Sequence, residues 1–368
     1  MDIGYFLKLM KEKSASDMFL STGAPVSIKV EGKITPLGKA GLPSGMVKKI
    51  AYSLMNEGQV PEFETNLEIN LALSVKDAGR FRVNVFKQRG EVGMVIRSIN
   101  SQIPDLESLH LPALLQDMVT ETRGLVLVVG STGSGKSTTL ASMIDYRNRN
   151  QKGHILTIED PIEFLHSHRM SIVNQREIGL DTHNYKNALK AALREAPDVL
   201  LIGEILDQET MEAALSFAET GHLVLATLHS NNADQTMDRI LNFFPQVVHK
   251  HILQNLSLNL RGIISQRLVM AKDERRRPAV EILINTPMVR DMIRRGEIAD
   301  LKEAMDKSLD AGMQTFDQAL FKLYKEGVID LEEALKKSDS RDGLELKIKL
   351  SEGSTEENEL DMFDPSNF

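Results

Sequence analysis

Cysteine is absent from the 368 residues, which excludes disulfides and thiolate-ligated zinc. That absence fits a reducing compartment. Metal-ligand spacing is missing as well, because none of the nine histidines falls in an HExxH or similar pattern. No apolar run approaches the ~20 residues that cross a bilayer. The opening residues, MDIGYFLKLMKEKSAS, break their apolar positions with three lysines and a glutamate. They read as an amphipathic helix rather than a secretory signal. Positive charge is also in deficit. A formal net charge of -8 argues against sequence-independent nucleic-acid binding, which needs a clustered basic surface. What remains is ordinary for a globular chain, with 42% hydrophobic and 26% charged residues. The length suits two domains, and the expected location is the cytoplasm.

Two patterning regimes divide the chain. In the first hundred residues, Ile3, Phe6, Leu7 and Met10 have helical spacing, and short strands follow at Asp17–Leu20 and Val26–Val30 with a turn at Gly32. Leu67–Val75, Arg80–Phe86 and Gly93–Ile99 alternate, with Phe81, Val83 and Val85 on one face and Arg80, Arg82 and Asn84 on the other. These predict a half-buried antiparallel sheet in a first domain, residues 1–100. Asn100–Pro104 and Leu111–Pro112 mark a linker at 101–116. After it, short continuous apolar runs at Gly124–Gly130, His154–Ile158, Asp198–Gly203 and His222–Thr227 alternate with helical stretches. Such runs belong to parallel strands buried on both faces. This second domain spans 117–343, with its part from Gln246 to about Lys337 expected to be mainly helical. Leu344–Leu350 alternates and reads as a short strand. Ser351–Phe368, with six acidic residues and no basic ones, reads as a disordered tail in a terminal segment 344–368.

The sharpest motif is Gly130-Ser131-Thr132-Gly133-Ser134-Gly135-Lys136-Ser137, which matches GxxxxGK[ST]. Its glycines let backbone N–H groups curl inward onto phosphate oxygens, helped by the positive end of the following helix, which opens through Thr138. Lys136 is placed to reach the β- and γ-phosphates, and the Ser137 hydroxyl to hold Mg²⁺. Chance produces this pattern in roughly one chain in a hundred of this length, and here it lies between an apolar strand and a helix. A nucleotide site also needs a second metal anchor and a base. Glu204 and the cluster Glu159-Asp160-Pro161-Ile162-Glu163 stand at strand ends, where open α/β sheets bind ligands. His222 and His229 flank one apolar strand, and spacing alone does not choose between them.

Taken together, GSTGSGKST, ILTIEDPIEF (155–164), VNQREIGLDT (173–182), ALREAPDVLLIGE (192–204) and ETGHLVLATLHSNNA (219–233) resemble the Walker A, Asp box, Walker B and His box of secretion-superfamily ATPases. With RFRVNVFKQRG (80–90) and GMQTFDQAL (312–320), the likeness narrows to type IV pilus retraction ATPases of the PilT/PilU type. LYKEGVID and the extension through LELKIKL bring it nearer the PilU branch. The resemblance implies an N-terminal PAS-like α+β domain, then a RecA-like P-loop NTPase domain with a helical C-terminal part. It implies a hexameric ring using ATP and Mg²⁺ at the cytoplasmic face of the inner membrane. A PilC-like platform protein and a PilT-like ATPase are the implied partners, with no nucleic acid. By the same likeness Glu163 is the general base, Glu204 the Walker B carboxylate at the metal, and Arg82 and Arg97 arginine fingers. His222 and His229 join the catalytic set.

Two positions depart from the family pattern. Gly203-Glu204-Ile205-Leu206 stands where relatives read Gly-Glu-hydrophobic-Arg, and leucine supplies neither charge nor bidentate hydrogen bonds. Met288–Arg295 matches an AIRNLIRE-like motif only in part. The sequence is also compatible with a pilus extension or type II secretion ATPase, and with an accessory subunit with weak hydrolysis that assists a PilT-like motor.

Overall fold

Two sheets with their covering helices form a mixed α/β architecture. The computed structural model describes residues 3–76, 78–308 and 312–360, with side chains as far as Ser351. The chain divides into two units. The first runs to Ile103 and also takes Asp160–Ser167 and Arg176–Ala188, while the second takes the rest. The first unit therefore draws in two short segments that lie, in sequence, far beyond residue 100.

The first unit opens with α1 (Ile3–Glu12), β1 (Asp17–Leu20), β2 (Ser27–Val30) and β3 (Lys33–Pro36). It continues through α2 (Met46–Leu54), α3 (Gln59–Asn66), β4 (Glu68–Val75), β5 (Gly79–Gln88) and β6 (Glu91–Ile99). The strands lie in the order β3-β2-β1-β6-β5-β4, and every pair is antiparallel. Alternation does what the pleat requires: Phe81, Val83 and Val85 are fully buried, and Arg80 and Arg82 face the other way. Leu7 and Met10, one helical turn apart, and Phe63 of α3 complete the core. Helices α2 and α3 had no counterpart in the sequence reading.

The remaining elements begin with α4 (Leu114–Thr120), β7 (Gly124–Val129), α5 (Lys136–Asn150), β8 (Gly153–Glu159), β9 (Ser171–Glu177) and α6 (Tyr185–Ala192). Next come β10 (Val199–Ile202), α7 (Gln208–Glu219), β11 (Leu223–Leu228), α8 (Ala233–Asn242), α9 (His249–Asn259), β12 (Leu260–Met270) and β13 (Arg276–Ile284). Last are α10 (Pro287–Arg295), α11 (Leu301–Asp306), α12 (Phe316–Lys325), α13 (Leu331–Lys337) and α14 (Arg341–Leu360). The sheet order is β13-β12-β7-β11-β10-β8-β9. Strands β12, β7, β11, β10 and β8 run parallel, and β7 and β11 are buried at every position. That explains their unbroken apolar runs.

One expectation is supplemented and one corrected. The stretch 246–337 is helical over most of its elements as expected, but it also contains an unexpected antiparallel hairpin of β12 and β13. Gly262–Gln266 is buried throughout, and a strand covered on both faces shows no alternation to tell it from a buried helix. The alternating Leu344–Leu350 is not a strand but part of α14. Leu344 and Ile348, four residues apart, are buried, while Leu346 and Leu350 are exposed. Glu345 and Lys349 pair across the same i,i+4 spacing at 2.6 Å. A short alternating run contains both periods, and packing chose the helical one. The helix continues to Leu360 through residues read as disordered, and 361–368 lie outside the described residues.

Candidate nucleotide site

Strand β7 ends at Val129 and delivers Gly130–Gly135 to the end of the sheet, where α5 begins at Lys136. Two glycines are required there. At Gly130 (φ +150°) a Cβ would lie 2.5 Å from both the Gln266 carbonyl oxygen and Ser134 Oγ. At Gly135 (φ +92°) it would meet Gln266 Nε2 at 2.8 Å. The loop is thus pressed onto β12 with no room for a side chain, leaving the first-turn amides of α5 directed outward. Lys136 Nζ donates to the carbonyls of Gly130 (2.8 Å) and Ser131 (3.1 Å). Ser134 Oγ is buried against Gly130 and has no hydrogen-bond partner among the described residues.

Glu204 follows β10, and His229 follows β11, at the same edge of the sheet as the loop. His229 Nε2 is 2.9 Å from Glu204 Oε1, and His229 Nδ1 is 3.5 Å from Lys136 Nζ. The Nε2–Oε1 approach is an electrostatic contact without hydrogen-bond geometry, since Glu204 Oε1 is buried with no hydrogen-bond partner among the described residues. Three residues singled out in the sequence therefore stand together. The backbone around Glu204 is fixed on both sides. Gly203 N–H donates to Ile158 O (2.8 Å), Ile205 N–H to Thr227 O (2.9 Å) and Thr227 Oγ1 to Gly203 O (2.5 Å). Leu206 is 57% exposed, so the aim of Glu204 in this subunit comes from its neighbouring strands and His229, not from position 206.

His222 lies elsewhere. It precedes β11, beside the start of β7, since Gly124 N–H donates to its carbonyl. Six residues of extended strand put it roughly 20 Å from His229. Its Nδ1 meets Phe217 O at 3.1 Å, and its ring packs edge-on against Phe217. Glu159 is engaged by Thr157 Oγ1 (2.6 Å) and Gln175 Nε2 (3.2 Å).

Glu163, Arg82 and Arg97 belong to the first unit. Glu163 is exposed. Arg97 Nε donates to Asp17 Oδ1 at 2.8 Å, with most of its side chain exposed. Arg82 Nε lies 3.7 Å from the buried Glu177. Burial pushes the Glu177 carboxyl up, against the Ile162 amide and the charges of Arg82 and Arg80.

Sequence reasoning missed the contribution of β12. Gln266 Oε1 accepts from Thr139 Oγ1 at 2.7 Å, locking α5 to the strand beneath the loop. The only signal was a polar pair, Gln266-Arg267, interrupting an apolar run. A cavity of about 410 Å³ borders Gly135, Thr138, Leu268, Pro278 and Leu111. A second, of about 310 Å³, borders Gly130–Ser134, Asn231, Arg267 and Lys337. For a divalent cation, one hydroxyl (Ser137) and one carboxylate (Glu204) are hard oxygen donors. They fit Mg²⁺ that completes its shell with water and nucleotide phosphates.

A family model described as "Type II/IV secretion system protein" matches residues 12–335. The type IV pilus ATPase PilU of Pseudomonas aeruginosa is 50% identical over 355 residues, 96% of this chain and 93% of that protein. The type IV pilus retraction ATPase PilT of the same organism is 42% identical, covering 92% of this chain and 98% of its own. A crystal structure of the pilus retraction motor PilT with bound ADP superposes with a TM-score of 0.87. It is 44% identical and covers 94% of this chain and 99% of that one.

Proposed function

This chain belongs to the type II/IV secretion system protein family, and we propose that it is a ring-forming motor subunit whose ATP hydrolysis drives pilus retraction from an inner-membrane platform. It is an ATPase of the type IV pilus retraction kind, the activity named for a relative matched over more than nine-tenths of the chain. The observation that carries the reading is the meeting of Lys136, His229 and Glu204 at the mouth of a loop built around Gly130 and Gly135.

The chemistry rests on positioning and electrostatics. Lys136 exchanges its contacts with the Gly130 and Ser131 carbonyls for the β- and γ-phosphates. Ser137 and Glu204 hold Mg²⁺, which when bound supplies charge to neutralise the transferring phosphoryl. The loop residues Ser131 to Ser134, with Gly135 and Thr138, present amides and hydroxyls to the phosphate chain. Glu163 takes the proton of the attacking water, and Arg82 and Arg97 complete the charge as fingers from the first unit of the same or a neighbouring subunit. His229 bridges Lys136 and Glu204 and senses the terminal phosphate. Within this assignment the first unit is PAS-like, spanning 1–100 in the main chain, and the second is RecA-like, with a helical C-terminal part. The ring is a hexamer at the cytoplasmic face of the inner membrane, contacting a PilC-like platform.

Phosphate release by the purified protein with Mg²⁺-ATP, alongside its oligomeric mass, tests this directly. Lys136→Ala is expected to lower kcat about 10³-fold, and Glu163→Gln about 10²-fold or more. Wild-type turnover by the Glu163→Gln protein would remove it from the base role. The exposed Leu206 favours a second reading, an accessory subunit whose hydrolysis rises only with a PilT-like partner. Adding that partner to the assay separates the two.

A further inference from the structure

The 310 Å³ cavity beside the loop contains one cation that the proposed chemistry does not use. Lys337 closes α13 and lines this space with Gly130–Ser134, Asn231 and Arg267. The other cation is fully engaged. Arg267 pairs with Asp339 at 2.6 Å, donates to the Lys337 carbonyl at 2.8 Å and lies 3.8 Å above the Phe316 ring. Asp339 is taken twice, by Arg267 and by Lys302 at 2.8 Å. Burial opposes its ionisation, but these two cations hold its carboxyl below the usual range. Asp317 accepts from the amides of Asp339 (2.8 Å) and Ser340 (3.1 Å), pinning the same turn to α12. The Lys337 amine has no hydrogen bond or ion pair among the described residues.

The cavity borders the first half of the loop, Gly130–Ser134. Lys136, the residue that reaches the β- and γ-phosphates in such loops, points its amine at Gly130 and Ser131, which both border this cavity. The 410 Å³ cavity borders Gly135 and Thr138, at the other end of the loop. Ser134 lines the same cavity as Lys337, although its hydroxyl is itself buried.

We propose that Lys337 is a second phosphate-binding cation, which reads the terminal phosphate of ATP from the C-terminal helices and ties α13 to nucleotide state. The assignment rests on the ATPase reading and adds a residue outside its motifs. The Arg267–Asp339 pair, with Asp317, positions the turn that carries Lys337. When the terminal phosphate is present, Lys337 and Lys136 share its charge. When it leaves, the C-terminal segment loses that anchor.

Calorimetric titration of the full chain with a non-hydrolysable ATP analogue and with ADP, each with Mg²⁺, provides the test. Lys337→Ala is expected to weaken the analogue about tenfold, ~1.4 kcal/mol, and ADP less than twofold. Lys337→Arg should restore most of that selectivity. Asp339→Asn, which loosens the turn without touching the lysine, should lower the same ratio by a smaller factor. A merely structural Lys337, capping α13, would change both nucleotides equally or neither, and either result overturns the proposal. Lys136→Ala serves as the reference. If it loses both nucleotides while Lys337→Ala binds like the wild type, only the second cation is wrong. Failure of the wild type to bind either nucleotide overturns the ATPase reading itself.

Discussion

The two ends of β11 carry the same side chain in opposite settings. Before the strand, His222 accepts packing from Phe217 and shares a hydrogen bond with that residue's carbonyl. After it, His229 stands between Glu204 and Lys136, within 3.5 Å of both. Parallel strands gather their C-terminal ends, and the helix N-termini that follow them, on one edge of the sheet. Strand direction, not residue type, therefore decides which histidine meets the phosphate loop.

The comparison is broken or sharpened first at Glu204, the carboxylate of the loop end. Glu204→Gln is expected to lower ATP turnover about 10²-fold by removing a metal ligand and the partner of His229. A loss below threefold would mean that the loop end does not hold the catalytic metal. This variant keeps the backbone ties of Gly203 and Ile205, so its melting temperature should change little.

The same end leads on to Ala233, whose amide donates to the buried Glu281 at 2.8 Å, with Ser265 Oγ donating at 3.0 Å. Burial raises the Glu281 carboxyl to about 7. The folded state then binds this proton more tightly than the unfolded chain does. Its stabilising effect is full below about pH 4.5 and is lost as pH rises through about 7. Denaturant unfolding should show about 2 kcal/mol less stability at pH 8 than at pH 5 from this group. In Glu281→Gln, which keeps an acceptor for both donors, that component of the slope should vanish. An unchanged pH dependence would show that Glu281 does not titrate in this range.

The smallest effects come from the histidines themselves. His229→Ala is expected to lower kcat roughly tenfold, through the loss of one polar contact to a charged group. His222→Ala should leave kcat within about twofold and cost about 1 kcal/mol of stability from its carbonyl bond and ring packing. Equal kinetic losses at the two positions would erase the asymmetry, and point to His222 acting on a neighbouring subunit.

Legibility followed local chemistry. Gly130, Gly135, Lys136 and Ser137 announce themselves, because only glycines tolerate that curl and only a lysine reaches past it. The alternation of Phe81, Val83 and Val85 likewise specified a half-buried strand. Gln266 showed only as a polar break in an apolar run, because its role comes from contact with Thr139, 127 residues away in sequence. The hairpin of β12 and β13 was read as helix because burial on both faces erases the period that would identify it. Leu344–Leu350 failed for the converse reason, since two buried residues four apart satisfy either period.

By itself the sequence determined the phosphate loop, the alternating sheet of the first unit and the buried strands of the second. Each is encoded in contiguous residues, through spacing together with run length and flanking glycines. The tertiary structure decided the rest. It separated His222 from His229, drew Lys136, Glu204 and His229 together, slid Gln266 beneath the loop, and clipped Lys337 to its edge through Arg267 and Asp339. Those relations depend on strand order and direction, which bring distant residues together and which no local pattern records.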